Sequence, residues 1–378
     1  MPERRRAVAE LSLESLVHNV SVIRGHLAPG TRFCAVVKAN AYGHGMSIVA
    51  PALADSVDMF AVATSDEALR LRGLLGHRSR ILVLGPQTGA SALAARHANA
   101  DIVVADLEAV GHLQEGLRVH LKFDSGMNRA GIRDAVRLRR ALVAGGRAIV
   151  GLMTHFASAD DPNDRLFDDQ LNLFETTIEA IQPDRAILVH AANTAATLRS
   201  SESHFGMVRC GIGLYGIDPF FGALGDQHLR AVMRVSSYIA SIKQARAGDG
   251  VGYGHTFRCS HDTQLGLVPI GYGDGLHRAI SNRGHVSIEG QRYPIVGNIS
   301  MDSLVVDLGA GAQLQVGSEV EILGEHMPAA TVAAAAQTIP YEVLTHLSER
   351  VVRDVSDLPA QGQPQHAQRL PASADRAR

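Results

Sequence analysis

The order of apolar runs and helix-length segments constrains the fold of this 378-residue chain more than any other feature. Eight short apolar runs occur between residues 33 and 212, and segments long enough to form helices separate them. Strands that alternate with helices form parallel sheets, and strands that are apolar throughout are buried on both faces. Eight such units in about 220 residues predict a (βα)8 TIM-type barrel. A doubly wound open sheet is the structural alternative.

The pattern changes near residue 229. From there to about residue 323, short alternating runs are separated by turn residues, which predicts a mostly antiparallel β domain. A helical stretch is predicted near residues 330–350. We therefore predict a barrel domain at 8–228 and a C-terminal β domain at 229–355. The remaining segment, 356–378, is rich in Pro, Gln, Ala and Arg and is predicted to be disordered.

Polar side chains stand at the ends of the predicted barrel strands, where barrel enzymes place their active sites. These positions hold Lys38, Lys122, Asp124, His155, His190, Asn193 and Arg209. Lys38 directly follows the apolar run 33–37, so burial should lower its pKa, which suits an amine nucleophile or a Schiff base. Position alone favours a simpler interpretation, in which the lysine extends from the strand end into solvent.

The surrounding motifs change that interpretation. The segment AVVKANAYGHG at 35–45 resembles the cofactor-lysine segment of alanine racemases. Five further segments resemble motifs of that family, in its order: MTHFA at 153–157, VRCGIGLYG at 208–216, VGYG at 251–254, GYGDG at 271–275 and GNISMD at 297–302. One motif is weak evidence, but six in order, spanning roughly residues 8–353, are strong. The resemblance implies an enzyme that uses pyridoxal 5'-phosphate to interconvert L-alanine and D-alanine.

The resemblance also implies roles for the reacting groups. Lys38 would hold the cofactor and act as one catalytic base. Tyr253 of the partner subunit would act as the other base on the opposite face, so the protein would be a homodimer with shared active sites. Arg209 would hydrogen-bond the pyridine nitrogen of the cofactor, and His155 would brace that arginine. Because arginine keeps its proton, this contact should leave the ring nitrogen unprotonated and suppress side reactions.

Binding residues follow from the same resemblance. The phosphate end would be surrounded by Tyr42, Asn193, Thr194, Gly211, Ile212 and Tyr341 or its neighbours. Arg129 and the partner's Met301 would hold the substrate carboxylate. Lys122 lies where some family members have a carbamylated lysine that orients the arginine.

Four positions depart from the family pattern. Cys210, Thr194 and Ala130 stand where members usually have proline, serine and leucine. Glu349 stands where one type of member has a phosphate-binding tyrosine, and a carboxylate could not do that job directly. The reaction class is unaffected, but the substrate preference stays open between alanine and another small amino acid. Serine is barely larger, and a hydroxyl group is hard to reject by size.

Other functions fit the motifs less well. A decarboxylase of the same two-domain plan would place a carboxylate at the pyridine nitrogen, where this chain has Arg209. A non-catalytic cofactor-binding protein with a lone barrel would not need the β domain that bears Tyr253 and Met301. The glycines at 211–216 also match a dinucleotide-binding pattern, but that motif must open a helix. The residues that follow, at 217–220, begin a helix poorly, so a phosphate loop is the better interpretation.

Composition narrows the partners and the location. The net charge of −2 gives no basic excess for nucleic acid or an anionic membrane. No apolar run approaches the roughly 20 residues that span a bilayer. Cys34, Cys210 and Cys259 are far apart in sequence, which indicates a reducing compartment, and we predict a cytoplasmic protein. The histidines are isolated in sequence, so no metal site is predicted.

Overall fold

The computed structural model describes residues 5–355, so the predicted disordered segment at 356–378 lies outside the described residues. The strands, in chain order, are β1 (Val8–Leu11), β2 (Arg32–Val36), β3 (Met59–Val62), β4 (Arg80–Val83), β5 (Asp101–Val104), β6 (Arg118–Lys122), β7 (Ala148–Met153), β8 (Leu188–His190), β9 (Met207–Cys210), β10 (Met233–Tyr238), β11 (Ser241–Ala245), β12 (Gly250–Val251), β13 (Phe257–Arg258), β14 (Thr263–Val268), β15 (His285–Ile288), β16 (Gln291–Pro294), β17 (Leu304–Gly309), β18 (Glu319–Leu323) and β19 (Val352–Val355).

The helices are α1 (Leu13–Gly25), α2 (Lys38–Tyr42), α3 (Met46–Leu53), α4 (Ser65–Leu75), α5 (Gly89–His97), α6 (Leu107–Val110), α7 (Ala135–Ala144), α8 (Leu166–Ile181), α9 (Thr194–Arg199), α10 (Ala329–Ala336) and α11 (Pro340–Thr345). No helix within residues 5–355 is both long and apolar enough to cross a membrane.

Strands β2 to β9 form a closed parallel barrel, which confirms the predicted fold class. Each strand pairs with its successor, and β2 closes the ring by pairing with β9, where Phe33 lies opposite Val208. Strands β3 and β5 are buried along their whole length, which explains why all their residues except Asp101 are apolar. All eight predicted runs overlap the observed strands.

Helix α4 begins with a capping box formed by Thr64 and Glu67. The stretch predicted at 330–350 is two helices, α10 and α11, rather than one. Gln337 adopts a left-handed conformation with φ 58°, and Pro340 begins the second helix, so the backbone cannot continue as a single helix.

The remaining strands form the predicted, mostly antiparallel β domain, in which β1 and β19 pair in parallel. A six-stranded sheet has the order β16-β15-β18-β10-β1-β19, and smaller sheets are formed by β11-β14-β17 and by β12-β13. Strand β1, near the start of the chain, lies between β10 and β19. The C-terminal sheet thus includes a strand from the segment that the sequence pattern assigned to the barrel domain. This was not predicted, because a four-residue run does not reveal its distant partners.

Candidate active site

Lys38 stands at the mouth of the barrel at the start of an unusual turn. The next four residues, Ala39 to Tyr42, have φ values of 52°, 53°, 55° and 51°. Helix α2 is therefore a left-handed turn. Each non-glycine residue in this conformation costs about 1–2 kcal/mol, so contacts from elsewhere must hold the segment.

The Glu67 side chain supplies one such contact. Its carboxylate accepts hydrogen bonds from the backbone N–H groups of Ala39 at 2.7 Å, Ala63 at 2.8 Å and Thr64 at 3.2 Å. Glu67, which completes the capping box of α4, thus also fixes the backbone directly after Lys38. The sequence did not predict this contact, because it depends on how α4 packs against the turn.

We expect Glu67→Gln to destabilise the fold by about 1–3 kcal/mol, because an amide nitrogen cannot accept a hydrogen bond and a backbone N–H would face another donor. Asp66→Asn is the matched control, since Asp66 is an exposed acid in the same helical turn and its change should stay within about 0.5 kcal/mol. Urea unfolding measures both free energies of unfolding. Equal losses in the two variants would contradict a special role for Glu67.

The far end of the turn is held by the C-terminal part of the chain. Arg353 Nε donates to the Gly43 carbonyl at 3.0 Å. Gly43 has φ 80°, and a Cβ atom there would lie 2.0 Å from the Leu344 carbonyl oxygen, so only glycine allows α11 to approach this closely. Sequence reasoning missed Arg353 as a support of the lysine segment.

Positive charges surround Lys38. Burial and the Arg129 charge lower the pKa of Lys38, and Glu67 opposes the shift. Burial, Arg209 and Arg129 lower the pKa of Lys122 to about 8, with Lys38 adding a smaller effect in the same direction. The structure therefore brings Lys38, Lys122, Arg129 and Arg209 within electrostatic reach of one another, as an anion-binding site requires.

Arg209 is buried and held by four acceptors. One terminal nitrogen donates to His190 Nδ1 at 2.8 Å, and the other lies 2.9 Å from the Thr154 oxygen, 2.8 Å from the Ala191 oxygen and 3.1 Å from His155 Nδ1. Burial lowers the pKa of Arg209 to about 10, below the usual arginine value, but the group stays charged at neutral pH. Its Nε has no hydrogen-bond partner among the described residues.

His155 has the surroundings of an acceptor rather than a cation. Burial and the Arg209 charge place the pKa of His155 well below its usual value, so the ring is neutral. A neutral imidazole can accept the Arg209 hydrogen bond at Nδ1. The structure thus places His155 against the arginine that the resemblance assigned it to brace.

Residues predicted at the phosphate end meet around β9 and α9. Thr194 Oγ1 accepts hydrogen bonds from the N–H groups of Gly211 at 3.1 Å and Gly213 at 3.3 Å. Asn193 caps α9 through its side chain, and Ile212 is buried at the start of a 3₁₀ turn. The glycine-rich segment 211–216 opens this short turn and no α-helix, as expected for a segment that is not a dinucleotide-binding motif.

Tyr42 completes this group. A Cβ atom at Gly211 would lie 2.4 Å from the Tyr42 hydroxyl oxygen, so the missing side chain leaves room for the phenol. The Tyr42 ring lies 6.2 Å from that of Tyr341, and its hydroxyl bonds to none of the described residues. Glu349 is exposed, and its charge acts on Arg353. Cys210 is fully buried, as expected of a small apolar filler.

Tyr253 and Met301 are displayed outward from the β domain. Their side chains are 75% and 52% exposed. Asn298 Nδ2 donates to the Tyr253 carbonyl at 2.8 Å, and the Asp302 carboxylate pairs with Arg350 at 2.6 Å, so both loops are fixed. Within residues 5–355 of one chain, no hydrogen bond or charge interaction connects Tyr253 or Met301 to the cationic residues around Lys38, which are Lys122, Arg129 and Arg209, or to Lys38 itself.

One cluster of possible metal ligands lies in the β domain, where the sequence gave no reason to expect it. Atoms of His277, Glu342 and His346 lie within 4.8 Å of one another. The two imidazole rings are stacked, however, with centroids 4.4 Å apart and planes 18° apart. Imidazole binds metals in the ring plane, and two nearly parallel planes do not converge on one ion, so this arrangement does not favour a metal site.

Two family models of known proteins match most of the chain. Residues 11–219 match the family model of the alanine racemase N-terminal domain, and residues 232–355 match that of the C-terminal domain. The chain belongs to the alanine racemase family. The resemblance inferred from the motifs is thereby confirmed.

Individual relatives agree with this assignment. Alanine racemase from Streptococcus mutans is 37% identical over 92% of this chain and 96% of its own. The structure resembles alanine racemase from Bartonella henselae with covalently bound pyridoxal phosphate, with a TM-score of 0.86 and 31% identity over 93% of this chain and 99% of that one. It also resembles the Bacillus anthracis enzyme with bound L-Ala-P, with a TM-score of 0.86 and 34% identity over 93% and 95% of the two chains.

The donor groups at the barrel mouth fit the cofactor of the Bartonella relative. Lys38 Nζ, Lys122 Nζ, Arg209 Nε and the Tyr42 hydroxyl make no hydrogen bond to any described residue. All four can donate, and three belong to cationic side chains, so the site favours a ligand with anionic and acceptor atoms. A pyridine nitrogen and a phosphate provide such atoms, and an amine of lowered pKa suits attachment to an aldehyde.

Proposed function

We propose that this alanine racemase family member interconverts L-alanine and D-alanine with pyridoxal 5'-phosphate held on Lys38. The observation that supports this most is that two groups lie at the same barrel mouth. One is Lys38, whose pKa is lowered, and the other is the buried Arg209, whose Nε has no hydrogen-bond partner among the described residues. Lys38 would attach the cofactor, and Arg209 Nε would donate to the pyridine nitrogen. When bound, the cofactor withdraws electrons from the substrate α-carbon and so makes its proton removable.

The remaining binding groups follow from their positions. We propose that Tyr42, Thr194, Asn193, Gly211 and Ile212 hold the phosphate end, because they gather at β9 and the start of α9. His155 would brace the Arg209 guanidinium through the contact described above. The side chain proposed to face the pyridine nitrogen is the buried Arg209 and not a carboxylate, which opposes the decarboxylase alternative.

Racemisation needs proton transfer on two faces of the α-carbon. Lys38 would serve one face and Tyr253 of the partner subunit the other, each removing or returning the proton according to the direction of reaction. Two bases on opposite faces let the configuration invert without any rotation of the bound substrate. Arg129, whose charge reaches Lys38 and Lys122, would hold the substrate carboxylate with the partner's Met301.

The separation of these groups within one chain supports the proposal of a homodimer. Tyr253 and Met301 are exposed on fixed loops, although large apolar and aromatic side chains favour burial. Tyrosine and methionine are enriched in protein interfaces. We propose that a second copy of the chain covers these loops, so that Tyr253 and Met301 of each chain lie beside Lys38 of the other. We also propose the domain division at residues 228 and 229.

The location is proposed from the cysteines. Cys34, Cys210 and Cys259 are all free and buried, so none is placed in a disulfide. Oxidising compartments favour proteins stabilised by disulfides. We propose that the enzyme works in the cytoplasm on a small amino acid, with neither nucleic acid nor membrane as a partner.

We expect Lys122 to form a carbamate with CO2, losing one proton as the amine nitrogen bonds to the carbon. With a pKa of about 8, its reactive neutral form increases as the pH rises from 7 to 9. The added negative charge would also offset the surrounding cations. NMR of protein in isotopically labelled bicarbonate should show a carbamate signal that grows over this pH range. Lys122→Met should remove it, and a signal that survives this substitution would contradict the assignment.

The direct test of the function is a stereospecific amino-acid assay. Purified protein supplied with pyridoxal 5'-phosphate should absorb visible light and convert either enantiomer of alanine to the racemate. Serine and larger amino acids, assayed alongside, measure substrate preference. A protein that stays colourless and leaves alanine optically unchanged would refute the proposal. Release of CO2 from a basic amino acid would favour the decarboxylase.

A further inference from the structure

A series of buried hydrogen bonds, here called the hydrogen-bond chain, runs through the barrel interior from Arg209 to Asp101. His190 Nδ1 lies 2.8 Å from Arg209, and His190 Nε2 lies 2.7 Å from His120 Nδ1. His120 Nε2 lies 3.3 Å from the Asp101 carboxylate. The three residues beyond Arg209 are completely buried.

The strand positions show that the chain spans the barrel. Asp101 is the first residue of β5, at the end of the barrel opposite the active site, whereas His190 is the last residue of β8. Arg80 and Arg118, each partly exposed, bind the Asp101 carboxylate at 2.5 Å. The two arginines thus neutralise the Asp101 carboxylate at the end of the barrel opposite the active site. The hydrogen-bond chain then reaches Arg209 through the imidazoles of His120 and His190.

The hydrogen-bond chemistry allows only one arrangement of protons. Arginine has no acceptor, so His190 Nδ1 must accept and His190 Nε2 must carry the proton. His120 Nδ1 must then accept, and His120 Nε2 must donate to Asp101. Burial lowers the pKa of both histidines, which agrees with neutral rings. Every donor therefore points away from the cofactor side toward Asp101.

The backbone leaves space for this chain. A Cβ atom at Gly151 on β7 would lie only 2.1 Å from His120 Nδ1. Glycine is therefore needed at this point of the strand for the imidazole to reach His190. Two edge-on rings with centroids 5.0 Å apart fill the space where a barrel interior normally contains branched apolar side chains.

We propose that Asp101 and His120 are positioning residues of the racemase site, acting through His190 to fix the Arg209 guanidinium against the pyridine nitrogen. The proposal rests on the proposed function, because it takes Arg209 as the partner of the cofactor ring. Without His120 to hold the His190 ring, one of the two terminal nitrogens of Arg209 loses its fixed acceptor. The other terminal nitrogen, with its three acceptors, then fixes the direction of the free Nε–H less tightly. Small misplacements of catalytic groups are costly, even when they begin far from the reacting atoms.

Two substitutions of His120 separate the links of the chain. His120→Leu removes both nitrogen atoms. His120→Asn keeps an acceptor near the position of Nδ1 but cannot reach Asp101. His204→Leu is the control, because His204 is also buried and its ring bonds only to the Thr197 carbonyl among the described residues. Thermal unfolding of all three variants shows whether a change comes only from lost stability.

The first measurement uses the protein without cofactor. NMR of the imidazole nitrogens should show the proton on Nε2 in both His120 and His190. A proton on Nδ1 of either ring would overturn the proposal. This readout does not depend on racemase activity, so it tests the chain even if the proposed function fails.

The second measurement uses the cofactor-loaded enzyme. His120→Leu should lower kcat about 10- to 100-fold with a smaller change in KM, and it should shift the visible absorption of the bound cofactor. His120→Asn should recover part of both, whereas His204→Leu should leave the spectrum unchanged. If His120→Leu retains the wild-type spectrum and kcat, Asp101 and His120 are not positioning residues. Absence of racemisation in the wild type would instead refute the proposed function alone.

Discussion

Replacing Lys38 by alanine should lower the rate of alanine racemisation by at least about 10⁴-fold, because it removes a base for proton transfer and the point of cofactor attachment together. The chain has only three lysines, Lys38, Lys122 and Lys243. Reduction of the cofactor-loaded wild type with borohydride, followed by peptide mapping, should therefore find the cofactor on Lys38 alone.

Lys243 provides the matched control for this prediction. It is exposed on β11, away from the barrel mouth, and Lys243→Ala should leave both turnover and cofactor attachment unchanged. Cofactor found on Lys122 or Lys243 in the wild type would contradict the assignment. Full activity of Lys38→Ala would contradict the mechanism as well.

Replacing Tyr253 by phenylalanine should lower racemisation by about 10²–10⁴-fold, the usual contribution of a positioned acid–base group. Because the ring is retained, packing of the loop should survive, and the phenol lies outside the group of residues that would bind the cofactor. Spectroscopic titration with pyridoxal 5'-phosphate should thus give nearly the wild-type affinity. Tyr293→Phe, which changes a half-buried phenol on β16 outside the six motifs, is the control. Equal turnover of the two variants would exclude Tyr253 as a base.

Much of the fold could be predicted because burial leaves a direct record in the sequence. The barrel strands are mostly apolar and alternate with helices, whereas β10 and β17 alternate buried and half-buried residues. Strand β1 was missed because its four residues pair with segments more than 200 positions away. No local pattern contains that information.

Parts of the site could likewise be predicted from the sequence, and other parts could not. Lys38 and Arg209 were noticed because charged residues beside buried strands are uncommon, but the resemblance of the surrounding motifs, not their position, assigned their roles. The left-handed turn after Lys38 was not predictable, since three of its four residues are alanine or asparagine and the contacts from Glu67 and Arg353 come from distant segments. His120 was missed because an isolated histidine in an apolar strand gives no sign of the partner that faces it across the barrel.

The claim that two chains build each active site is tested most directly by mixing inactive variants. Lys38→Ala and Tyr253→Phe chains with different affinity tags are combined, and dimers that contain both are purified. One site in such a dimer receives Lys38 and Tyr253 intact, so we expect about half of the wild-type activity per dimer. Mixed dimers no more active than either parent would show that Tyr253 does not act across the subunit boundary.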